Sequence, residues 1–164
     1  MRILGIDPGL ADCGWGVVDF QSQRYQPVSY GVIKTPAGED MQKRILLITD
    51  KIQRVAQENN VQCASIEEIF FTKHSTTSAL NVSKVIGAIM CELGRIGIPC
   101  RLFSPLQIKS CITGYGNAEK VQVQEMVRIL LGLEKIPKPD HAADALSAAI
   151  CLGNNGSTEA KLRV

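Results

Sequence analysis

The short apolar run Ile3-Leu4-Gly5-Ile6 drives straight into Asp7, and Pro8-Gly9 then turns the chain. A strand that is apolar on consecutive positions has no solvent face, so other layers must cover it on both sides. Asp7 stands where this buried strand surfaces. A strand in a packed sheet fixes the position of such a carboxylate, which suits a metal ligand or a general base. Asp-Pro-Gly is equally the composition of a plain turn. By itself the stretch leaves both readings open, and the rest of the chain must supply partners for Asp7.

After that strand, Gly14 to Asp19 and Ser29 to Thr35 read as two more, and the short loops between them point to antiparallel hairpins. Met41, Ile45, Ile48, Ile52 and Val55 recur at helical steps, with Lys43, Arg44, Lys51 and Arg54 on the wet side, until Asn59-Asn60 ends the pattern. Cys63 to Ile66 is a fourth strand, and it too runs into carboxylates, Glu67 and Glu68. A helix over roughly Ser78 to Arg95 is apolar around much of its circumference and so well buried; Gly97-Ile98-Pro99 stops it before a fifth strand, Cys100 to Phe103. Ser104-Pro105 opens a short helix to Thr113, Ser as N-cap and Pro as the first helical residue. Glu119 to Leu131 and His141 to Leu152 are the last two helices. Three strands followed by alternating helices and strands predict an α/β fold, one five-stranded mixed sheet flanked by helices. Residues 1–153 form a single domain, and 154–164, rich in Asn, Gly and Ser and then charged, form a disordered C-terminal tail.

The length of 164 residues suits one domain with a sizeable core, and aromatics at 5% make that core aliphatic. The net charge of +2 neither demands nor excludes nucleic acid, because binding depends on where basic residues cluster. No apolar run approaches the roughly 20 residues that span a bilayer. The N-terminus enters the fold without a signal-like apolar region, so the expected location is cytoplasmic, with no membrane association. The six cysteines show no Cys-x-x-Cys spacing, and packed, reduced thiols fit better than a disulfide framework or a zinc site.

If the strands ending in Asp7 and Glu67 are neighbours, their carboxylates converge on one sheet edge. Ser65 and Glu67 share one face of their strand and Glu68 points to the other, so Glu67 is the candidate and Glu68 a surface or supporting residue. His141 and Asp144, three apart, share one helix face and can reach one point, and Asp140 is a natural N-cap. The surrounding Ala142, Ala143, Ala145 and Leu146 are too apolar for an idle solvated face, so a carboxylate there needs a partner. Such a set suits magnesium or manganese, the imidazole tilting it toward manganese.

Four blocks carry a resemblance. Gly5-Ile6-Asp7-Pro8-Gly9, Ile66-Glu67-Glu68-Ile69-Phe70, Gly114 to Gln124 and Asp140 to Leu146 are similar, in order, to the signatures of the RuvC family of bacterial Holliday junction resolvases. The likeness spans about Ile3 to Leu152. It implies a ribonuclease H-like fold and a homodimeric endonuclease that resolves four-way DNA junctions in recombination and repair by paired symmetric nicks. Two magnesium ions per active site, with manganese as a substitute, would hydrolyse the phosphodiester to leave 5′-phosphate and 3′-hydroxyl ends. The family's metal-binding catalytic positions fall on Asp7, Glu67, His141 and Asp144; the third is Asp in some members and His in others. The resemblance also assigns DNA contact to Phe70, by stacking on junction bases, and to Lys109 and Lys120, by holding phosphates. Phe70 would serve equally in a core, as would Phe71. Lys73, Lys84, Arg101 and Arg128 are further candidates for phosphate contact, and a branch-migration helicase complex is an implied partner.

Three rivals stand beside this. A ribonuclease H-like relative acting on RNA, or an inactive one, would be expected to lose one acidic block, and all four are present. A sugar-kinase-like phosphotransferase also opens with a strand and an Asp-x-Gly turn but needs two such domains and a second phosphate loop. A non-catalytic junction-binding module predicts no metal dependence, yet converging acids would repel DNA unless metal neutralised them.

Overall fold

The structure, a computed structural model, describes residues 1–69 and 76–162. Strands β1 (Arg2–Asp7), β2 (Asp12–Gln21) and β3 (Arg24–Lys34) form an antiparallel meander. Helix α1 (Met41–Glu58) leads to β4 (Cys63–Glu67), α2 (Thr76–Arg95) leads to β5 (Cys100–Phe103), and α3 (Pro105–Thr113), α4 (Lys120–Leu130) and α5 (Asp140–Leu162) complete the chain. The sheet order is β3-β2-β1-β4-β5, with β4 parallel to both β1 and β5. The mixed five-stranded sheet expected from the element order is therefore present, and β1 lies at its centre.

Alternation along β1 divides the core. Leu4 and Ile6 face α1 and α2, where they pack with Ile48, Ile52, Ile89 and Leu93. Ile3 faces the opposite side, with Phe103 of β5, Ile108 and Ile112 of α3, Val123 and Val127 of α4, and Leu146 and Ile150 of α5. Burying each of these aliphatic side chains contributes about 1.5–3 kcal/mol, which is why a strand apolar on both faces demands both layers.

Two boundaries differ from expectation. Strand β3 begins at Arg24, five residues before the expected Ser29. Pro27 hid that start, because proline reads as a strand breaker. It is tolerated because β3 is an edge strand and a bulge opposite Val17 and Val18 absorbs it. The hairpin before it turns on Ser22 and Gln23, both at positive φ, rather than on the usual Asn-Gly. The last helix, expected to end at Leu152, runs on through Leu162. Gly153 does not terminate it: a Cβ there would collide with the ring of Tyr25, so this glycine makes room for a neighbour. Tyr25 in turn donates its hydroxyl to Asn154 Oδ1 at 2.7 Å and to the Ile150 carbonyl at 3.0 Å, fastening the turn beyond Leu152 to β3.

Candidate active site at the strand ends

The registers settle which side chains share a face. Gly5 pairs with Ser65 and Ile6 with Ile66 across β1 and β4, so Asp7 and Glu67 leave adjacent parallel strands on the same side. That is the side covered by α5. On β2, Gly14 lies opposite Asp7 and Gly16 opposite Gly5. A Cβ on Gly5 would strike the backbone of Ala145, one on Gly14 the backbone of His141, and one on Gly16 the side chain of Leu146. These three glycines form a cradle into which α5 settles until backbone meets backbone, with Ala142, Ala145 and Ala149 fully buried or nearly so.

The first turn of α5 thereby lands over the end of β1. His141 Nδ1 donates to Asp7 Oδ2 at 2.7 Å. Asp7, His141 and Asp144 each offer a ligand atom, and those atoms lie within 4.8 Å of one another. Asp144 also receives the Lys120 ammonium at 3.0 Å on its Oδ2. Glu67 stands across from them. It lines a cavity of about 200 Å³ with Lys109, Lys120 and Asp144, and a second of about 280 Å³ with Asp7 and Pro8.

Crowding of acids shows in their ionisation. Burial, and then the charges of Asp7 and Asp144, push Glu67 up to about 8, against the pull of Lys120 and Lys109. Asp7 is likewise raised, chiefly by burial and further by Asp144, although the His141 hydrogen bond draws it back. Burial and the neighbouring acids outweigh Lys120 and Lys109 here, and a bound cation would offset that excess. Three carboxylates and one imidazole are a donor set that fits a hard divalent ion.

Over residues 3–152 the chain matches the family described as crossover junction endodeoxyribonuclease RuvC. The chain belongs to the RuvC family. It is 42% identical to the RuvC endonuclease of Desulfitobacterium hafniense over 92% of this chain and 91% of that one. The RuvC of Chloroflexus aurantiacus is 43% identical, covering 92% of each chain. Among solved structures, Thermus thermophilus RuvC superimposes with a TM-score of 0.89 at 30% identity, over 97% of both chains. The same protein in complex with a Holliday junction substrate gives 0.91 at 31% identity, over 97% of this chain and 96% of that one. A yeast mitochondrial Holliday junction resolvase, Ydc2, is 15% identical with a TM-score of 0.65, over 98% of this chain and 83% of that one, and shares the fold. The fold is therefore ribonuclease H-like, as the resemblance of the sequence blocks implied.

Against the RuvC expectation, the structure brings Asp7, Glu67, His141, Asp144, Lys109 and Lys120 to one place. Phe70, Phe71 and Lys73 lie outside the described residues. Lys84 is exposed on α2. Arg128 holds Glu125 at 2.6 Å and the Leu133 carbonyl at 3.0 Å, contacts internal to its own helix end. Arg101 lies over the Phe103 ring at 5.2 Å. Asp140 is the first helical residue rather than a cap, and its carboxylate takes Lys138 at 2.8 Å and Lys120 at 3.8 Å. Sequence reasoning missed the glycine cradle. Its signal was present as glycines inside strand patterns, which mark close backbone approach. Among the described residues no helix is long and apolar enough to cross a membrane.

Proposed function

We propose that this RuvC-family chain resolves four-way DNA junctions as a homodimer, each subunit holding divalent ions, magnesium or in its place manganese, on Asp7, Glu67, His141 and Asp144. The carrying observation is the convergence of Asp7, His141 and Asp144 within 4.8 Å, beside a Glu67 that stays hard to ionise without added positive charge. Divalent cations, when bound, polarise a phosphodiester and ease ionisation of the attacking water. The chain's own residues do the rest. Asp7 and Glu67 fix their oxygens from strand ends that the sheet holds still. His141 and Asp144 come down from α5, with the imidazole oriented by Asp7. Lys109 and Lys120 line the cavity on the Glu67 side, where they hold DNA phosphates. Phe70 would follow the Glu67 strand and stack on a junction base. Two such sites related by a two-fold axis match a junction with the same symmetry and would nick strands of like polarity, leaving 5′-phosphate and 3′-hydroxyl ends. A branch-migration helicase complex is the natural upstream partner.

The test is a synthetic four-way junction incubated with and without magnesium or manganese. Paired symmetric nicks that require metal are expected. Asp7→Asn should reduce them by at least about 100-fold, the upper end of what disturbing a merely supporting residue at a metal site costs. Junction binding without cleavage in either metal would instead identify a non-catalytic binding module. Lys120→Ala should weaken junction binding and lower the slope of log affinity against log salt by about 1, the mark of one lost phosphate contact. An unchanged slope would leave Lys120 as a partner of Asp144 and nothing more.

A further inference from the structure

Helix α1 turns one of its cations back toward the strand ends. Lys43 pairs with Glu39 at 3.4 Å, one turn earlier, as an ordinary surface lysine does. Its neighbour Arg44 is half-buried and donates its Nε to Thr35 Oγ1 at 2.8 Å, just beyond the end of β3. Thr35 is buried and passes the contact on. Its hydroxyl donates to the Leu10 carbonyl, and its amide donates to the Ala11 carbonyl at 2.9 Å. Leu10 and Ala11 belong to the turn that follows Asp7. Arg44 is thus tied to that turn through its Nε, and among the described residues neither of its Nη nitrogens has a partner.

Arg44 borders a cavity of about 520 Å³ that reaches His141 and has Thr77, Ser78 and Asn81 of α2 on its far wall. Among the described residues the side chains of that wall make no hydrogen bond. Asp12, the acid on the rim, lies 3.9 Å from Lys34. Val82 borders this cavity and also the one of about 280 Å³ that holds Asp7 and Glu67. Glu67 borders in turn the cavity with Lys109 and Lys120. The three cavities therefore share walls in sequence, with basic side chains at both ends and the acids between them. A DNA strand laid across the acids has phosphates on both sides of the one that is cut. Lys109 and Lys120 face one side, and the other side needs a cation of its own.

We propose that Arg44 binds a phosphate of the cleaved strand on the side of the cut opposite to Lys109 and Lys120, with Asn81 as a second donor; this rests on the junction-nuclease reading. A guanidinium presents its donors in a planar fork that matches a phosphate, and the Nη pair is the part of the fork that Thr35 leaves open. Anchoring Nε beforehand also reduces the side-chain freedom that DNA binding would otherwise remove. Because Thr35 joins Arg44 to Leu10, the phosphate is placed relative to the Asp7 turn and not on a loose surface chain. A strand held at both ends of the path is drawn taut over the carboxylates.

The experiment measures binding of a synthetic four-way junction by the full chain over a range of salt, with calcium in place of magnesium so that the strand stays whole. Arg44→Gln should weaken binding by about tenfold and lower the slope of log affinity against log salt by about 1 for each subunit engaged. Arg44→Lys should keep the slope and recover only part of the affinity, since an ammonium has no fork. Thr35→Val removes the anchor but no charge, and should keep the slope as well. A neutral methylphosphonate placed at successive positions of the cut strand then locates the contact. One position should weaken the parent and leave Arg44→Gln unaffected, and it should lie across the cut from the position that does the same for Lys120→Ala. Arg44→Lys should show a smaller loss at that same position, which carries the assignment even if the Gln variant fails to fold. A parent that binds the junction while Arg44→Gln keeps its slope makes Arg44 a brace for the turn and overturns this proposal alone. Arg44 and Lys120 positions on the same side of the cut would overturn it too. A parent that binds no junction overturns the nuclease reading and the proposal together.

Discussion

On one face of the sheet, α1 and α2 pack through large aliphatic side chains, with Ile48, Ile52, Ile89 and Leu93 fully buried between helix and strand. On the other face, α5 meets the sheet with the Ala145 and Ala149 backbone against Gly5, the His141 backbone against Gly14 and the Leu146 side chain against Gly16. In the first arrangement side chains can change rotamer around a substitution, although even one methylene is felt. In the second, backbone lies against backbone at Gly5 and Gly14, and there are no rotamers to change. The candidate site residues Asp7, His141 and Asp144 stand on the rigid face. His141 is aimed at Asp7 by the very residue, Gly14, whose missing Cβ admits the His141 carbonyl. A site that must hold acids together against their own repulsion gains from the surface that has no room to relax.

The contrast can be broken most sharply at glycine. Gly5→Ala places a methyl group against the Ala145 backbone, and about 3 kcal/mol or more of destabilisation is expected in urea unfolding. Its counterpart on the other side, Gly87 of α2, has open space where a Cβ would be. There Gly87→Ala should stabilise by about 0.5–1 kcal/mol, because alanine loses less chain entropy in a helix. Equal and opposite effects are not expected; a neutral Gly5→Ala would show that α5 has slack after all.

Between these two in size lies a prediction about charge. Glu67 ionises near 4.5 ordinarily and near 8 in the fold. Below about pH 4.5 it is protonated in both folded and unfolded chains. As pH rises toward 8 the unfolded chain ionises first, so metal-free stability should drain away across that window, and Asp7 adds to the trend. The metal-free protein should therefore melt several degrees lower at pH 8 than at pH 5, since about 1 kcal/mol corresponds to roughly 2–4 °C in a chain of this size. Glu67→Gln should flatten the dependence, and magnesium should restore stability at pH 8 in the parent but less in the variant. Scanning calorimetry with and without chelator measures both.

Much of the site was legible before folding. Asp7 and Glu67 each end an apolar run, and a strand has one place where it can surface. His141 and Asp144 were legible as a pair because helical spacing puts residues three apart on one face. The Lys120 contact with Asp144 was not, since 24 residues separate them and a surface lysine carries no local mark of its partner. Arg128 looked available and is occupied by Glu125, three residues before it on α4, a pair that the same helical spacing makes neighbours. The extension of α5 past Gly153 was hidden for a related reason. Glycine signals a stop in sequence, but here it signals a tyrosine from β3 pressed against the helix.

The sequence by itself determined the elements, their order and the candidate metal-ligand residues, because hydrophobic periodicity and strand ends are properties of short stretches. Tertiary structure decided that β1 and β4 are parallel neighbours, that α5 descends onto three glycines, and that the Asp7 carboxylate meets the His141 ring. Those are contacts between stretches far apart in the chain, set by which surfaces fit, and periodicity within one stretch carries no record of the shape of another.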